Sequence, residues 1–181
     1  LASNTTANYN TAVGYQAGYS NTTGGSSVAI GTQALYTATT NGGAVAVGYQ
    51  AGYSNTTASN NAFFGANAGY TVTTGGGNTA IGKDSLRLNS TGTGNTALGY
   101  VALENNTNSN NTALGYRSLR ANTSGTYNVA VGVDALLNNS TANYNTSIGA
   151  NALYSNTASN NTAVGYQAGY SNTGAGNTYI G

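Results

Sequence analysis

The sequence predicts an all-β fold, a parallel β-solenoid or β-roll of about eleven coils. One phrase, a small residue followed by a branched apolar residue and a glycine, recurs eleven times in 181 residues. The closing glycines are spaced 17 five times, then 16, 17, 17, 16 and 16 residues apart. A short period held through a whole chain is typical of stacked repeats. Asn, Ser and Gly recur too often between the phrases for a helix to propagate.

The motif glycines are the reference points of the repeat, and we number positions in each coil from them. We expect them to be structural, because glycine allows a turn at positive φ or a close approach to a neighbouring backbone. No glycine-rich loop leads into a helix, so a phosphate cradle is disfavoured. The motif glycines are Gly14, Gly31, Gly48, Gly65, Gly82, Gly99, Gly115, Gly132, Gly149, Gly165 and Gly181.

The three positions before each glycine predict a short strand. Position −1 is apolar in every copy, position −2 is mostly Ala, and position −3 is mostly Thr or Val, as in Thr11-Ala12-Val13. β-Branched residues two apart fit a strand with period two. The Ala column and the Val/Ile/Leu column lie on opposite faces of this strand. The pattern leaves open which face lines the interior and which meets a neighbouring subunit.

The segment after each glycine, such as residues 15–19, predicts a second strand. Its third residue is always Ala or Ser and its fourth is always Leu or Gly. A polar stretch such as residues 20–24 then returns the chain to the next phrase, since Asn, Thr and Gly favour turns. Each coil is therefore expected to hold two strands and two turns. Eleven coils at about 4.8 Å each give a rod about 50 Å long.

Composition excludes several functions. The chain has no Cys or His, charged residues make up 4%, and the formal net charge is +1. The usual zinc and haem ligands and the Ser-His and Cys-His nucleophile systems are therefore missing. Four basic residues are too few to form the basic surface that binds nucleic-acid phosphates. No apolar run approaches the roughly 18 residues of a membrane span. We therefore expect that the protein is not an enzyme, that it has no cofactor and no catalytic or metal-binding residue, and that it does not insert into a membrane.

Two motifs carry a resemblance to known repeats. Residues 27–31 (Ser-Val-Ala-Ile-Gly) with Ala34 resemble the head repeat of YadA-like trimeric autotransporter adhesins. The sequence Asn-Thr-Ala-Val-Gly-Tyr-Gln-Ala at 10–17 and 161–168 is similar to shaft repeats of phage tail-fibre-like proteins. The resemblance implies a parallel β-roll, three chains side by side, at the cell surface, outside the cell or on a virion. The longer period, the many Tyr and the frequent Thr depart from the adhesin pattern.

Self-association has a second argument in the residues. A coil of 16 or 17 residues encloses only two to four apolar side chains, so a lone roll has a thin core and partner subunits would thicken it. Leu1 and Gly181 both fall in the middle of the pattern, and neither end has the atypical cap that solenoids need. Residues 1–181 are expected to be a single repeat array, a segment of a longer fibre.

The sequence leaves three functions open. The first is a structural fibre shaft or stalk that spaces an adhesive tip from its anchor. The second is a carbohydrate-binding surface through Tyr, Asn and Thr ladders, because sugars stack on aromatic rings. The third is an ice-binding solenoid, but its Thr rank at position −3 is broken at Val28, Val45, Ala62 and Val129. The candidate glycan surface is the file of tyrosines at position +5, which comprises Tyr19, Tyr36, Tyr53, Tyr70, Tyr154 and Tyr170.

The seven charged residues test the register of the coils. Arg87, Glu104 and Arg120 all lie five residues after their glycines, in three consecutive coils. Arg117 and Asp134 both lie two residues after theirs. In-register stacking would place opposite charges about 4.8 Å apart in each column. We therefore expect ion pairs along both columns.

Overall fold

The computed structural model describes residues 1–181 and confirms the parallel β-solenoid, without any helix. Each coil contributes one strand of three residues that ends just before the motif glycine. The strands are β1 (Thr11–Val13), β2 (Val28–Ile30), β3 (Val45–Val47), β4 (Ala62–Phe64), β5 (Thr79–Ile81), β6 (Thr96–Leu98), β7 (Thr112–Leu114), β8 (Val129–Val131), β9 (Thr146–Ile148), β10 (Thr162–Val164) and β11 (Thr178–Ile180).

The eleven strands form one parallel sheet in chain order, β1 through β11. The register is that of the repeat, so that Ala12 pairs with Ala29 and Val13 pairs with Ile30. The 16-residue coils keep this register, as Thr96 pairs with Thr112 between β6 and β7. Each coil therefore adds one rung to the rod.

The prediction of a second strand in each coil, over segments such as residues 15–19, is wrong. These segments are turns, and their residues at positions +2 and +4 have positive φ. Gln33 and Leu35 of the second coil, for example, have φ of 56° and 50°. Two left-handed residues separated by one other residue cannot extend as a strand. Six coils place Leu in this conformation at position +4.

The turn segments of consecutive coils are joined by backbone hydrogen bonds, as the strands are. Of 117 backbone hydrogen bonds, only 20 lie within the strands. In the turn segment, Leu35 N donates to Ala51 O at 3.0 Å and Thr37 N donates to Tyr53 O at 3.1 Å. The ladder therefore continues around much of the coil, which explains how three-residue strands suffice to hold the rod.

The open question of the two strand faces is answered by burial. The Ala column at position −2 points inward, and Ala29, Ala46 and Ala80 are buried. The core is completed by the small residues at position +3 and by a column of leucines at position +4. Those leucines are at most 1% exposed and are Leu35, Leu86, Leu103, Leu119, Leu136 and Leu153. The Val/Ile/Leu column at position −1 faces outward.

Two files of asparagines complete the interior. The strand-side Asn file lies at position −4, and in it Asn128 Oδ1 accepts from Asn145 N at 3.0 Å while Asn128 Nδ2 donates to Ala142 O at 2.8 Å. The turn-side Asn file lies at position +7, and in it Asn122 Nδ2 donates to Asn106 Oδ1 at 2.7 Å. Buried amides bonded along the rod satisfy backbone groups that the turns leave unpaired.

The motif glycines stack in a line along the rod. Their φ values lie between Gly181 at 117° and Gly48 and Gly115 at 139°, a range that favours glycine. A Cβ atom on Gly48 would lie 2.6 Å from Gly65 O. Both the backbone angle and the closeness of the next coil therefore require glycine at this position.

Candidate functional site

The outer face of the sheet carries a continuous file of apolar side chains, which we call the outer apolar file. It consists of the position −1 residues, and nine of the eleven are exposed, from Ile30 and Val164 at 37% to Ile180 at 75%. Val47 and Val131 are half-buried. Its members are Val13, Ile30, Val47, Phe64, Ile81, Leu98, Leu114, Val131, Ile148, Val164 and Ile180.

Two further columns border the outer apolar file. The position −3 residues lie on the same strand face, and most of them are half-buried Thr or Val. The position +1 column contains exposed tyrosines, of which Tyr15 and Tyr166 are 69% and 68% exposed. Contiguous apolar patches above a few hundred Å² are rare on monomers and mark interaction surfaces. The sheet face is therefore the strongest candidate interface of the chain.

The tyrosines at position +5 stack on one another. The ring centroids of Tyr19, Tyr36, Tyr53 and Tyr70 are 5.3, 5.1 and 5.1 Å apart in succession. Tyr154 and Tyr170 form a separate pair at 4.8 Å. The ring faces inside such a stack are covered by neighbouring rings, and Tyr36, Tyr53, Tyr70 and Tyr154 are only half-buried rather than exposed. The stack thus leaves few ring faces for a sugar.

Three other tyrosines lie at position −5 and were not singled out from the sequence. Tyr9, Tyr127 and Tyr144 have φ of 63°, 56° and 57° and are 89%, 52% and 58% exposed. A left-handed non-glycine residue costs roughly 1–2 kcal/mol. The stacked Tyr127–Tyr144 pair offsets only about 0.5–1.5 kcal/mol. Two such residues therefore cost more than their stacking contributes.

The charged columns confirm the register. Arg117 binds Asp134 through two contacts, Nε to Oδ1 at 2.7 Å and Nη2 to Oδ2 at 2.6 Å. The hydrogen bonding that Arg117 donates to Asp134, more than the charge of Asp134, raises the pKa of Arg117 above its usual value. Arg120 Nε donates to Glu104 Oε2 at 2.7 Å. Both pairs join consecutive coils, as the repeat spacing predicted.

Arg87 does not form the predicted pair with Glu104. Its Nε lies 3.7 Å from Asp84 Oδ1, three residues earlier in the same coil. Backbone contact between the two coils is nevertheless in register, since Leu88 N donates to Glu104 O at 2.9 Å. The predicted stacking of position +5 residues is therefore correct, but the Arg87 side chain pairs with Asp84 of its own coil instead of with Glu104.

The structure contains no group of three or more Asp or Glu side chains that could hold a metal ion. Its one cavity, near Asn21 and Asn41 at the first coils, has a volume of ≈ 10 Å³, about the size of one water molecule. There is also no helix that could span a membrane.

Comparison with protein-family models, with curated protein sequences and with solved structures found no match for this chain.

Proposed function

We propose that this chain is a structural shaft or stalk of a cell-surface or phage-type adhesin, placed outside the cell or on a virion, which spaces a binding tip from its anchor. Three copies lie side by side with their sheet faces together. The observation that supports this proposal is the outer apolar file, which runs through all eleven strands without a polar interruption.

The geometry of the rod supports side-by-side assembly. The outer apolar file is continuous because the strands pair in register, and it extends about 50 Å at roughly 4.8 Å per coil. The seven charged side chains all lie at positions +1, +2 and +5, which leaves the position −1 and −3 columns of the strands uncharged. Uncharged apolar faces favour burial between subunits, since burying an unpaired charge is costly.

The oligomeric mass tests the proposal. A trimer of the 18.0 kDa chain has a mass of 3 × 18.0, or about 54 kDa, and sedimentation equilibrium at micromolar concentration should give this value. The double variant Ile81→Asp/Leu114→Asp places two charges on the outer apolar file and should sediment as a monomer. Circular dichroism of the variant should keep the β spectrum, because both side chains already face outward.

The matched control places the same charges on another face. Thr74 and Thr91 are exposed at position +9, in the corner that Asn89 of the turn-side Asn file closes by bonding to Gly92. Thr74→Asp/Thr91→Asp should leave the trimer intact. A wild-type mass near that of one chain would contradict the assembly. Equal dissociation of both double variants would contradict the assignment of the sheet face.

A further inference from the structure

The Tyr127–Tyr144 pair is an exposed aromatic feature that the shaft function does not use. The two rings are parallel, with centroids 5.2 Å apart and planes inclined by 5°. Each ring covers one face of the other, yet Tyr127 and Tyr144 are still 52% and 58% exposed. The second face of each ring must therefore be open to solvent. The flanking coils carry Asn110 and Asn160 in this column, whose side chains are shorter than a tyrosine ring.

The position itself does not call for tyrosine. It has positive φ in every coil, and the remaining coils hold smaller residues there. Those residues are Ser26, Gly43, Asn60, Gly77, Gly94, Asn110, Asn160 and Gly176. Fold stability therefore favours Gly or Asn at this corner, and the rings neither fill the core nor join the outer apolar file. Residues held in sparsely populated backbone conformations cluster at functional sites, and the exposed pair is therefore a candidate binding feature.

Polar groups border the pair in the next column, position −6. Thr126 Oγ1 and Thr126 N both bind Asn143 Oδ1, at 3.1 and 2.7 Å. Asn143 N in turn donates to Ser159 Oγ at 2.9 Å. This chain of contacts fixes the Asn143 side chain, and its Nδ2 makes no hydrogen bond within the protein. A fixed amide donor thus lies in the column next to the two rings, one residue before Tyr144.

We propose that the Tyr127–Tyr144 pair with Asn143 is a carbohydrate-binding site for a β-linked pyranose of the gluco configuration. All ring substituents of such a sugar are equatorial, so its flat C–H face can stack on the open face of a tyrosine ring. A sugar hydroxyl accepts the hydrogen bond from Asn143 Nδ2. The site lies away from the +5 tyrosines, whose ring faces cover one another.

Nucleic acid and protein partners fit this surface less well. Bases also stack on tyrosine, but strands that bind this way need cationic groups along the phosphates. All four basic residues lie at positions +1, +2 and +5, outside the position −5 and −6 columns. A protein interface needs roughly 800 Å² on each partner, whereas two rings flanked by polar residues offer far less. An aromatic face beside an oriented amide favours a sugar.

Titration with cellotetraose and chitotetraose, followed by NMR of the sugar protons so that every variant has the same readout, tests the site. At least one of the two should bind at millimolar concentration, and the double variant Tyr127→Gly/Tyr144→Gly should weaken binding at least about tenfold. This variant should fold, because other coils carry Gly at the same position. Tyr127→Phe/Tyr144→Phe keeps both ring faces and should bind like the wild type.

Tyr9→Gly is the matched control, since Tyr9 shares the column and the backbone angle but has no stacked partner. It should leave the titration unchanged. The proposal is overturned if neither sugar binds the wild type, or if the Tyr127→Gly/Tyr144→Gly variant binds as tightly as the wild type. The sedimentation mass of every variant reports separately on the shaft assembly, so the failure of one proposal is distinguishable from that of the other.

Discussion

The ring of Phe63 occupies space that a side chain on Gly52 would need. A Cβ atom built on Gly52 would lie 2.8 Å from Phe63 Cδ2, and one on Gly69 in the following coil would also collide with the ring. Both glycines lie at position +4, where six other coils carry Leu. Phe63 replaces the usual inward Ala, so one large ring takes the place of two leucines.

Phe63→Ala should lower the free energy of unfolding by about 3–5 kcal/mol, because no neighbouring side chain fills the cavity. Adding Gly69→Leu should recover a large part of the loss, since Leu adopts the same left-handed angle in six coils. Gly69→Leu alone should destabilise the protein through its clash with the ring. Urea unfolding of the three variants measures the coupling, and additive effects would show that the two sites are independent.

Asn55→Val should stabilise the protein by about 1 kcal/mol or more. Asn55 is fully buried, and neither its Nδ2 nor its Oδ1 has a partner, because Ala38 and Val72 interrupt the turn-side Asn file on both sides. An unpaired buried amide costs roughly 1–3 kcal/mol. Thermal unfolding should show a higher Tm for this variant.

The control for this prediction is Asn122→Val, at the same position in an uninterrupted part of the file. Asn122 bonds to Asn106, Gly125 and Asn139, and its loss should cost about 2 kcal/mol. We expect Asn55→Val to raise the free energy of unfolding and Asn122→Val to lower it. Destabilisation of similar size in both would mean that Asn55 is satisfied in solution.

Asp134→Asn should lower the free energy of unfolding by about 1 kcal/mol, because it removes the charge from a two-contact pair whose carboxylate side chain is 10% exposed. The backbone should not change, since Asn151 has the same φ of 57° at this position as Asp134. The comparison is Glu104→Gln, which breaks a single contact to a more exposed arginine and should cost less. Urea unfolding at low and high salt measures both, and a greater loss for Glu104→Gln would contradict the ranking.

Stability should fall above pH of about 10. Partial burial in the stack, and then the charges of Tyr70, Tyr36 and Tyr49, raise the pKa of Tyr53 above its ordinary value of 10.0. The unfolded chain therefore loses this proton first as the pH rises, so the contribution of Tyr53 is complete below pH of about 10 and is lost as pH rises through the raised pKa. Denaturant unfolding against pH should show a smaller loss in Tyr53→Phe than in Tyr166→Phe, whose exposed ring serves as the control. Identical pH profiles would contradict the assignment.

The strand and its register were predictable because three signals coincide at each motif glycine. Apolar periodicity, a fixed spacing and the two charged columns all indicate the same in-register stack, and Arg120–Glu104 forms accordingly. The second segment was misjudged because Leu at position +4 has no local preference for positive φ. Leu103 keeps a φ of 51° only because its side chain fills the core, which is a tertiary effect.

The burial of the interior asparagines and the exposed tyrosines at position −5 were not predicted from the sequence, for different reasons. Asn in the polar stretch between phrases predicts only a turn, and the burial of Asn at position −4 depends on hydrogen bonds to the next coil, as between Asn128 and Asn145. The recurrence of Asn at two fixed positions, in most of the coils, is the signal that could have shown these files. Tyr127 and Tyr144 share their column with only one other Tyr, too few copies for a period to appear.

The difference between 16- and 17-residue coils is confined to one corner. In the longer coil, Asn89 Nδ2 reaches the carbonyl of Gly92 three residues on, whereas in the shorter coil Asn106 Nδ2 reaches Asn108, two residues on. Every coil thus presents the same edges, meaning the same set of backbone hydrogen-bonding groups, to the coils before and after it. Unequal recombination that removes or duplicates one repeat would join like edges, so the length of such a rod is set by copy number and can change in steps of about 4.8 Å without redesign of any contact.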